Sequence, residues 1–353
     1  MQYRDLVAVF EELAAADART QKTRRLAELL ADVETEQLGP VLLLTRGRLF
    51  EPWEAGELGV SSALTREAVA RATGVAEDDI EATWRETGDL GTAAARAVAA
   101  AAQQTFSSRP LTVTRVYEVL RGLAEHEGRG SRDRRVADLA GLIADAEPVE
   151  AKYLVRTAGG AMRLGVGDGI IRDAIVAALL DDGSATVKRA IEVTNDVGLV
   201  AKIARTDGVA GLAELDVTPF RPIKPMLAQR GEDVATAMAD LGDPDGRVLL
   251  EAKYDGIRAK LHGEGDRRRL YTRRLADVTA QFPDVMEAFS AAIDADAFII
   301  EAELVGIDHD RDEPVPFQEL SRRIQREHDV ERLAARIPVY LSTARESRRE
   351  RRA

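Results

Sequence analysis

The chain has 353 residues, 45% of them apolar, no cysteine, and a formal net charge of −12. That length suggests two domains, and the absent cysteines exclude disulfides, thiolate metal sites and a cysteine nucleophile. The four histidines, His126, His262, His309 and His328, are too scattered to suggest a histidine-built metal site. With no apolar run of about 18 residues and no signal-peptide core, a cytoplasmic protein without membrane contact is expected. Net acidity removes the simple electrostatic case for a nucleic-acid partner, but a local basic patch can still provide one.

Residues 1–216 read as helices. Leu6, Phe10 and Leu13 recur at helical spacing, as do Leu26, Leu29 and Leu30. The pattern continues over 92–103, 111–124, 134–145, 148–157, 169–181 and 184–193. It is divided by GRGSRD at 128–133, GGAMRLGVGDG at 159–169 and DDGS at 181–184. No fixed-period repeat is present, so an all-α domain is expected. At TPFRPIKPMLAQ, 218–229, three prolines predict an extended connector that no helix can continue through. After a short helical stretch at 232–240 the signal turns to strand in RVLLEAKY, IRAKLHGEGDRRRLYTRR and AFIIEAELVGID, with GEGD at 263–266 as a hairpin turn. A second, α+β domain is therefore expected from 217.

The chemistry concentrates in EAKYDGIR, 251–258, which reads K-x-D-G-x-R. A lysine amine is a poor nucleophile at its unperturbed pKa of about 10.4. Burial of Lys253 beside an apolar strand, or a neighbouring cation such as Arg258 or Mg²⁺, would free its lone pair. Asp255 and Gly256 would form a tight turn returning Arg258 to the same place, an arrangement suited to attack on phosphorus. K-x-D-G alone fits equally well the end of an edge strand followed by an ordinary turn.

The surrounding segments extend the match. EAKYDGIR resembles the nucleotidyltransferase motif of ATP-dependent DNA ligases, and RPIKPMLAQ resembles the entry to their catalytic domain. YTRRLADVT (271–279) with FPDV (282–285), and IIEAELVGID (299–308), resemble the next two ligase motifs. EAKYLVRTAGGAMRLGVGDGIIRDAI (150–175) and LLTRGRLFEPWEAGELGV (43–60) resemble the ligase helical DNA-binding domain, the archaeal type above all. The resemblance implies a helical DNA-binding domain at 1–216. It also implies a partial α+β nucleotidyltransferase domain, ATP-grasp-like, at 217–341. The residues at 342–353 would be a basic tail outside the family, with the OB-fold absent.

It further implies that Lys253 accepts AMP from ATP and that Glu251 lines the adenine pocket. Arg258 and Arg273 would contact ribose and phosphates, and Glu303 would hold the ribose or support Mg²⁺. Arg163 and Arg129, in the two glycine-bearing loops, would meet DNA phosphates. Nicked duplex DNA is the implied substrate and a sliding clamp a further partner, with the protein a monomer acting in replication, repair and recombination. At 301–303, Glu-Ala-Glu stands where the family has Asp-Gly-Glu, and Ala302 cannot reach glycine's conformations. STARESRRERRA, 342–353, has five arginines in its last nine residues, as a shifted reading frame would encode. A truncated ligase that adenylates itself poorly or not at all is expected. One rival is a non-catalytic DNA-binding protein using only the helices. An RNA ligase or capping guanylyltransferase shares K-x-D-G, but the long helical domain counts against it.

Overall fold

The computed structural model describes residues 1–54, 56, 58–101, 109–241, 247, 248, 253, 255–308, 311, 313–324, 328–337 and 339–343. The chain divides into two compact units, Met1–Asp216 and Val217–Ala353.

The first unit is helical. Its elements are α1 (Tyr3–Ala15), α2 (Arg19–Asp32), α3 (Leu38–Thr45), α4 (Ser62–Thr73), α5 (Glu77–Thr87), α6 (Leu90–Ala101), α7 (Val113–Gly122), α8 (Ser131–Asp145), α9 (Pro148–Ala158), α10 (Asp168–Leu179), α11 (Ser184–Thr194), α12 (Val197–Thr206) and α13 (Gly208–Ala213). Caps set several of these boundaries. Ser61, Thr112 and Asp196 each accept a backbone N–H from the first turn of the helix that follows. Pro148 opens α9 inside a capping box made by Glu147 and Glu150. Helix α8 starts three residues earlier than its apolar period predicts, because the chain can enter it directly from Gly130 in the left-handed region.

Leu6, Phe10 and Leu13 of α1 are fully buried, with the Phe10 ring 5.2 Å from that of Tyr153 in α9. Helix α2 packs on α10, α6 on α9, α4 on α8 and α3 on α12. At the α3–α12 crossing a Cβ added to Gly198 would lie 2.8 Å from the Gly39 Cα, so the two backbones touch directly.

Between α6 and α9 lies a largely buried ion pair. Arg156 donates to both oxygens of Asp89, closest at 2.7 Å, and Asp89 also accepts from the Thr92 N–H (3.1 Å) and hydroxyl (2.6 Å). Burial works against the charged carboxyl, but Arg156 and Thr92 outweigh it and hold the group at about 2.

In the second unit the connector 217–233 contains no helix or strand. Then come α14 (Val234–Leu241), β1 (Ile257–Glu264), β2 (Arg267–Thr272), α15 (Pro283–Ala292), β3 (Ala297–Asp308), β4 (Glu313–Pro314), α16 (Phe317–Ile324), α17 (Val330–Arg336) and β5 (Val339–Thr343). Most of the strand expected at RVLLEAKY lies outside the described residues. All pairings are antiparallel: β2 with β1, β1 with β3, and both β4 and β5 with β3. Gly265 (φ +54°) takes the first of the two positions that turn β1 into β2, a conformation glycine supplies without strain. Strand β5 runs to Thr343, two residues past the expected end of family-like sequence at 341.

One face of this sheet is apolar. Ile257, Ala259 and Leu261 of β1 join Leu270 and Leu304 under Phe282, Val285, Phe289 and Leu320. The FPDV segment supports that face. Phe282 is fully buried, Pro283 opens α15, and Asp284 pairs with Arg323, itself 1% exposed and stacked 4.4 Å from the Phe282 ring. Arg323 also donates to the carbonyls of Gln281 (3.1 Å) and Ile337 (3.0 Å).

The Asp89 pair gives the helical unit a defined acid sensitivity. Its carboxyl is depressed on folding, so its contribution is fully present above the ordinary 3.8 and is lost as the pH falls through about 2. Asp89→Asn should lower stability by roughly 2 kcal/mol at neutral pH. The deficit should shrink between pH 4 and pH 2 in denaturant melts. A deficit that stays constant across that window would contradict the assignment.

Candidate functional site

The second face of the sheet carries charge. Because strand side chains alternate, Arg258, Lys260 and His262 of β1 share it with Glu301 and Glu303 of β3, and the register sets Arg258 opposite Glu303 and Lys260 opposite Glu301. The Arg258 Nε donates to Glu301 Oε1 at 2.9 Å, and its Nη1 donates to the Met226 carbonyl of the connector at 3.2 Å. Lys260 Nζ lies 3.4 Å from the same Glu301 oxygen. Burial opposes ionisation of Glu301, but Arg258 and Lys260 prevail and hold its carboxyl below the usual range. Burial pulls the Lys260 amine below the ordinary lysine range, against the Glu301 charge.

Glu303 behaves differently. Burial lifts its carboxyl above the usual range even though Arg258, the Gly256 N–H and Lys253 all favour the charged form. The reason Gly256 must be glycine also lies here. A Cβ on it would stand 2.5 Å from the Leu304 carbonyl oxygen, 2.8 Å from Glu303 Cγ and 3.0 Å from Glu303 Oε1. Asp255, just before it, accepts the Phe317 N–H at 3.2 Å. The D-G pair therefore presses the chain onto β3 and fastens it to the start of α16, instead of making the free turn expected from its composition.

Of the sequence-predicted nucleotide residues, Arg258 and Glu303 stand opposite each other, and the Lys253 charge acts on Glu303. Glu251 lies outside the described residues. Lys253 is exposed and precedes the first residue of β1, so of the two expected routes to a free amine burial does not apply to it. Arg273 is exposed just past the end of β2. Ala302 occupies regular strand, paired with Ala259 and Thr343 and 5% exposed, so this position makes no demand on glycine's freedom. The residues that sequence reasoning missed are Glu301 and Lys260. The signal for both was period-2 alternation, which puts Lys260 on the face of Arg258 and Glu301 on the face of Glu303.

The connector is fastened to the same sheet. Phe220, at φ +66°, donates its N–H to His262 Nδ1 at 2.9 Å, and the Arg267 guanidinium sits 3.9 Å from its ring. Burial, reinforced by Lys260, pushes the His262 imidazole down to about 4, so it is neutral at physiological pH.

In the helical unit the glycine-rich loop between α9 and α10 borders a cavity of about 470 Å³ with Thr45 and Arg46. Met162 and Leu164 are buried anchors, while Arg163, at φ +56°, is exposed between them. Lys22 ties the loop down by donating to the Leu164 carbonyl at 2.6 Å. Arg46 pairs with Asp168 at 2.5 Å. Beside Arg46, Glu51 is 5% exposed, and burial followed by the neighbouring Asp196 pushes its carboxyl up to about 8. Mostly protonated at neutral pH, Glu51 adds little negative charge beside Arg46. Arg129 is exposed in the separate turn before α8.

Comparison with known proteins agrees with this two-part architecture. Residues 2–176 match the family described as DNA ligase N terminus, and residues 225–343 match the ATP dependent DNA ligase domain. The chain is 41% identical over 342 residues to a DNA ligase of Thermococcus fumicolans, covering 97% of this chain and 60% of the relative. It is 41% identical over 339 residues to one of Methanothermobacter thermautotrophicus, covering 96% and 59%. A DNA ligase of Nanoarchaeum equitans is 39% identical over 341 residues, covering 97% and 59%. The chain belongs to the ATP-dependent DNA ligase family. It spans about 60% of the length of these curated relatives. Among the described residues no helix is long and apolar enough to cross a membrane.

Gly256→Ala tests the contact between the D-G pair and β3. Backbone cannot yield to a 2.5 Å approach, so overpacking should cost about 1–3 kcal/mol in a thermal or denaturant melt of the second unit's transition. An unchanged midpoint would show that the glycine is dispensable there.

Proposed function

We propose that this chain supplies the DNA-gripping and AMP-accepting parts of an ATP-dependent DNA ligase. The observation that carries the reading is the pairing of Arg258 with Glu303 at the end of the β1–β3 ladder that Lys253 precedes in sequence. Lys253 Nζ, as the free amine, attacks the α-phosphorus of ATP. The N–P bond forms, the bond to the bridging oxygen of the β-phosphate breaks, pyrophosphate leaves with the electron pair, and the amine proton passes to water. Arg258 and Arg273 offset phosphate charge, Glu303 meets the ribose, and Glu251 completes the adenine wall. In the full ligase reaction AMP then moves to the 5′-phosphate of a nick, and the neighbouring 3′-hydroxyl displaces it; both transfers need in-line geometry.

A Mg²⁺ ion, when bound, neutralises phosphate charge in such transfers. It is usually held by one or two carboxylates together with substrate phosphates. Glu303 fits that requirement, and among the described residues there is no cluster of three or more acidic, His or Cys side chains that would form a separate cage. Nicked duplex DNA is the proposed partner, held through phosphates by the loops that carry Arg163 and Arg129. A monomeric state, contact with a sliding clamp, and roles in replication, repair and recombination belong to the same reading and rest on family membership. The two-part family match does not favour a non-catalytic DNA-binding protein.

Incubation of the full chain with α-labelled ATP and Mg²⁺ should slowly leave covalent, alkali-stable and acid-labile label on the protein, as a phosphoramidate requires, and Lys253→Ala should abolish it. Label persisting in that variant refutes the assignment. Binding to duplex DNA should be sequence-independent and fall steeply with salt. Arg163→Ala should weaken it for all sequences alike and reduce the log–log salt slope by about 1. A sequence preference, or binding indifferent to salt, would rule out phosphate contacts as its basis.

A further inference from the structure

Of the Arg258 guanidinium, Nε is taken by Glu301 and Nη1 by the Met226 carbonyl, while Nη2 has no partner among the described residues. Its plane is therefore fixed at two points, with one edge left over. The side chains differ in reach: Arg258 is 40% exposed and Lys260 only 8%, with Glu301 between them at 34%. Lys260 is thus too deep to serve a ligand itself, but it meets the Glu301 oxygen that also receives Arg258. A two-member Glu301–Arg258 pair would be neutral and would blunt the attraction of Arg258 for a phosphate. Adding Lys260 offsets the Glu301 charge, so Arg258, the exposed cation of the three, is left facing only Glu303, whose carboxyl burial holds above the usual range.

We infer that Glu301 and Lys260 are positioning residues for nucleotide binding: Glu301 orients the Arg258 fork, and Lys260 cancels the Glu301 charge so that Arg258 remains an effective phosphate ligand. The inference rests on the proposed reading of this face as the ATP site. A fixed fork loses less freedom when it binds, and the buried ammonium makes the orientation independent of solvent counterions. Neither residue touches the nucleotide, so each acts only through Arg258.

A double-mutant cycle on ATP affinity tests this, with the full chain in equilibrium dialysis against labelled ATP, AMP and adenosine. Glu301→Gln should weaken ATP about tenfold, the range expected for one hydrogen bond to a charged group, and should have no further effect in an Arg258→Ala background. Lys260→Gln should weaken ATP more than AMP and leave adenosine unchanged. Melting curves of each variant identify loss of folding, and the shorter Glu301→Asp, which keeps the charge, should recover part of the lost affinity. Equal effects of Glu301→Gln with and without Arg258, or no effect in either background, overturn the inference alone. Failure of the unsubstituted chain to bind ATP overturns the reading of the site and the inference with it.

Discussion

The register between β1 and β3 is the constraint on which the second unit depends. Ile257, Ala259 and Leu261 must face the α15–α16 side, and this forces Arg258, Lys260 and His262 onto the other. A slip of one residue would turn the whole charged set into the apolar core. Glycine at 256 sets the register at its upper end, because only a residue without a side chain lets the chain reach β3 at Leu304 before the ladder begins. The hairpin at Gly265 sets it at the other end. The apolar packing thus selects the chemistry: the same alternation that fills the core delivers two cations opposite two carboxylates.

The helical unit solves a different problem, that of holding irregular loops firmly without covering them. Its glycine-rich loop is fastened from beneath by Met162 and Leu164 and from the side by Lys22, leaving Arg163 exposed. The direct backbone contact of Gly39 with Gly198 draws α3 and α12 together, and it also places Glu51 against Asp196. A carboxyl in that position keeps its proton, so Glu51 leaves the charge of Arg46 to Asp168.

Much of this was legible in the sequence, and the gaps have physical causes. Strand β3 coincides with AFIIEAELVGID because its alternation is long and bounded by Asp on both sides. Helix ends differ by a few residues where a cap or a left-handed glycine, and not the apolar period, decides the start. The K-x-D-G-x-R spacing brought out Lys253 and Arg258, but composition could not reveal that the glycine serves close approach, nor that Lys253 is exposed. Glu301 and Lys260 escaped notice because each has an ordinary surface character when taken alone. Only cross-strand pairing, which is set by chain segments some forty residues apart in sequence, makes them partners. Ala302 cannot reach glycine's conformations, and regular strand geometry at that position removes the need for them.

The tie between Phe220 and His262 gives the connector a built-in reporter. An imidazole that accepts at Nδ1 must, when neutral, carry its proton on Nε2, and the Nε2 of His262 is buried without a hydrogen-bond partner among the described residues. The proline-rich segment thereby selects one tautomer of a single buried ring. Release of the connector would remove that selection, so the ring nitrogen resonances of His262 would register whether the segment leading out of the helical unit is seated on the sheet, without any probe being attached to it.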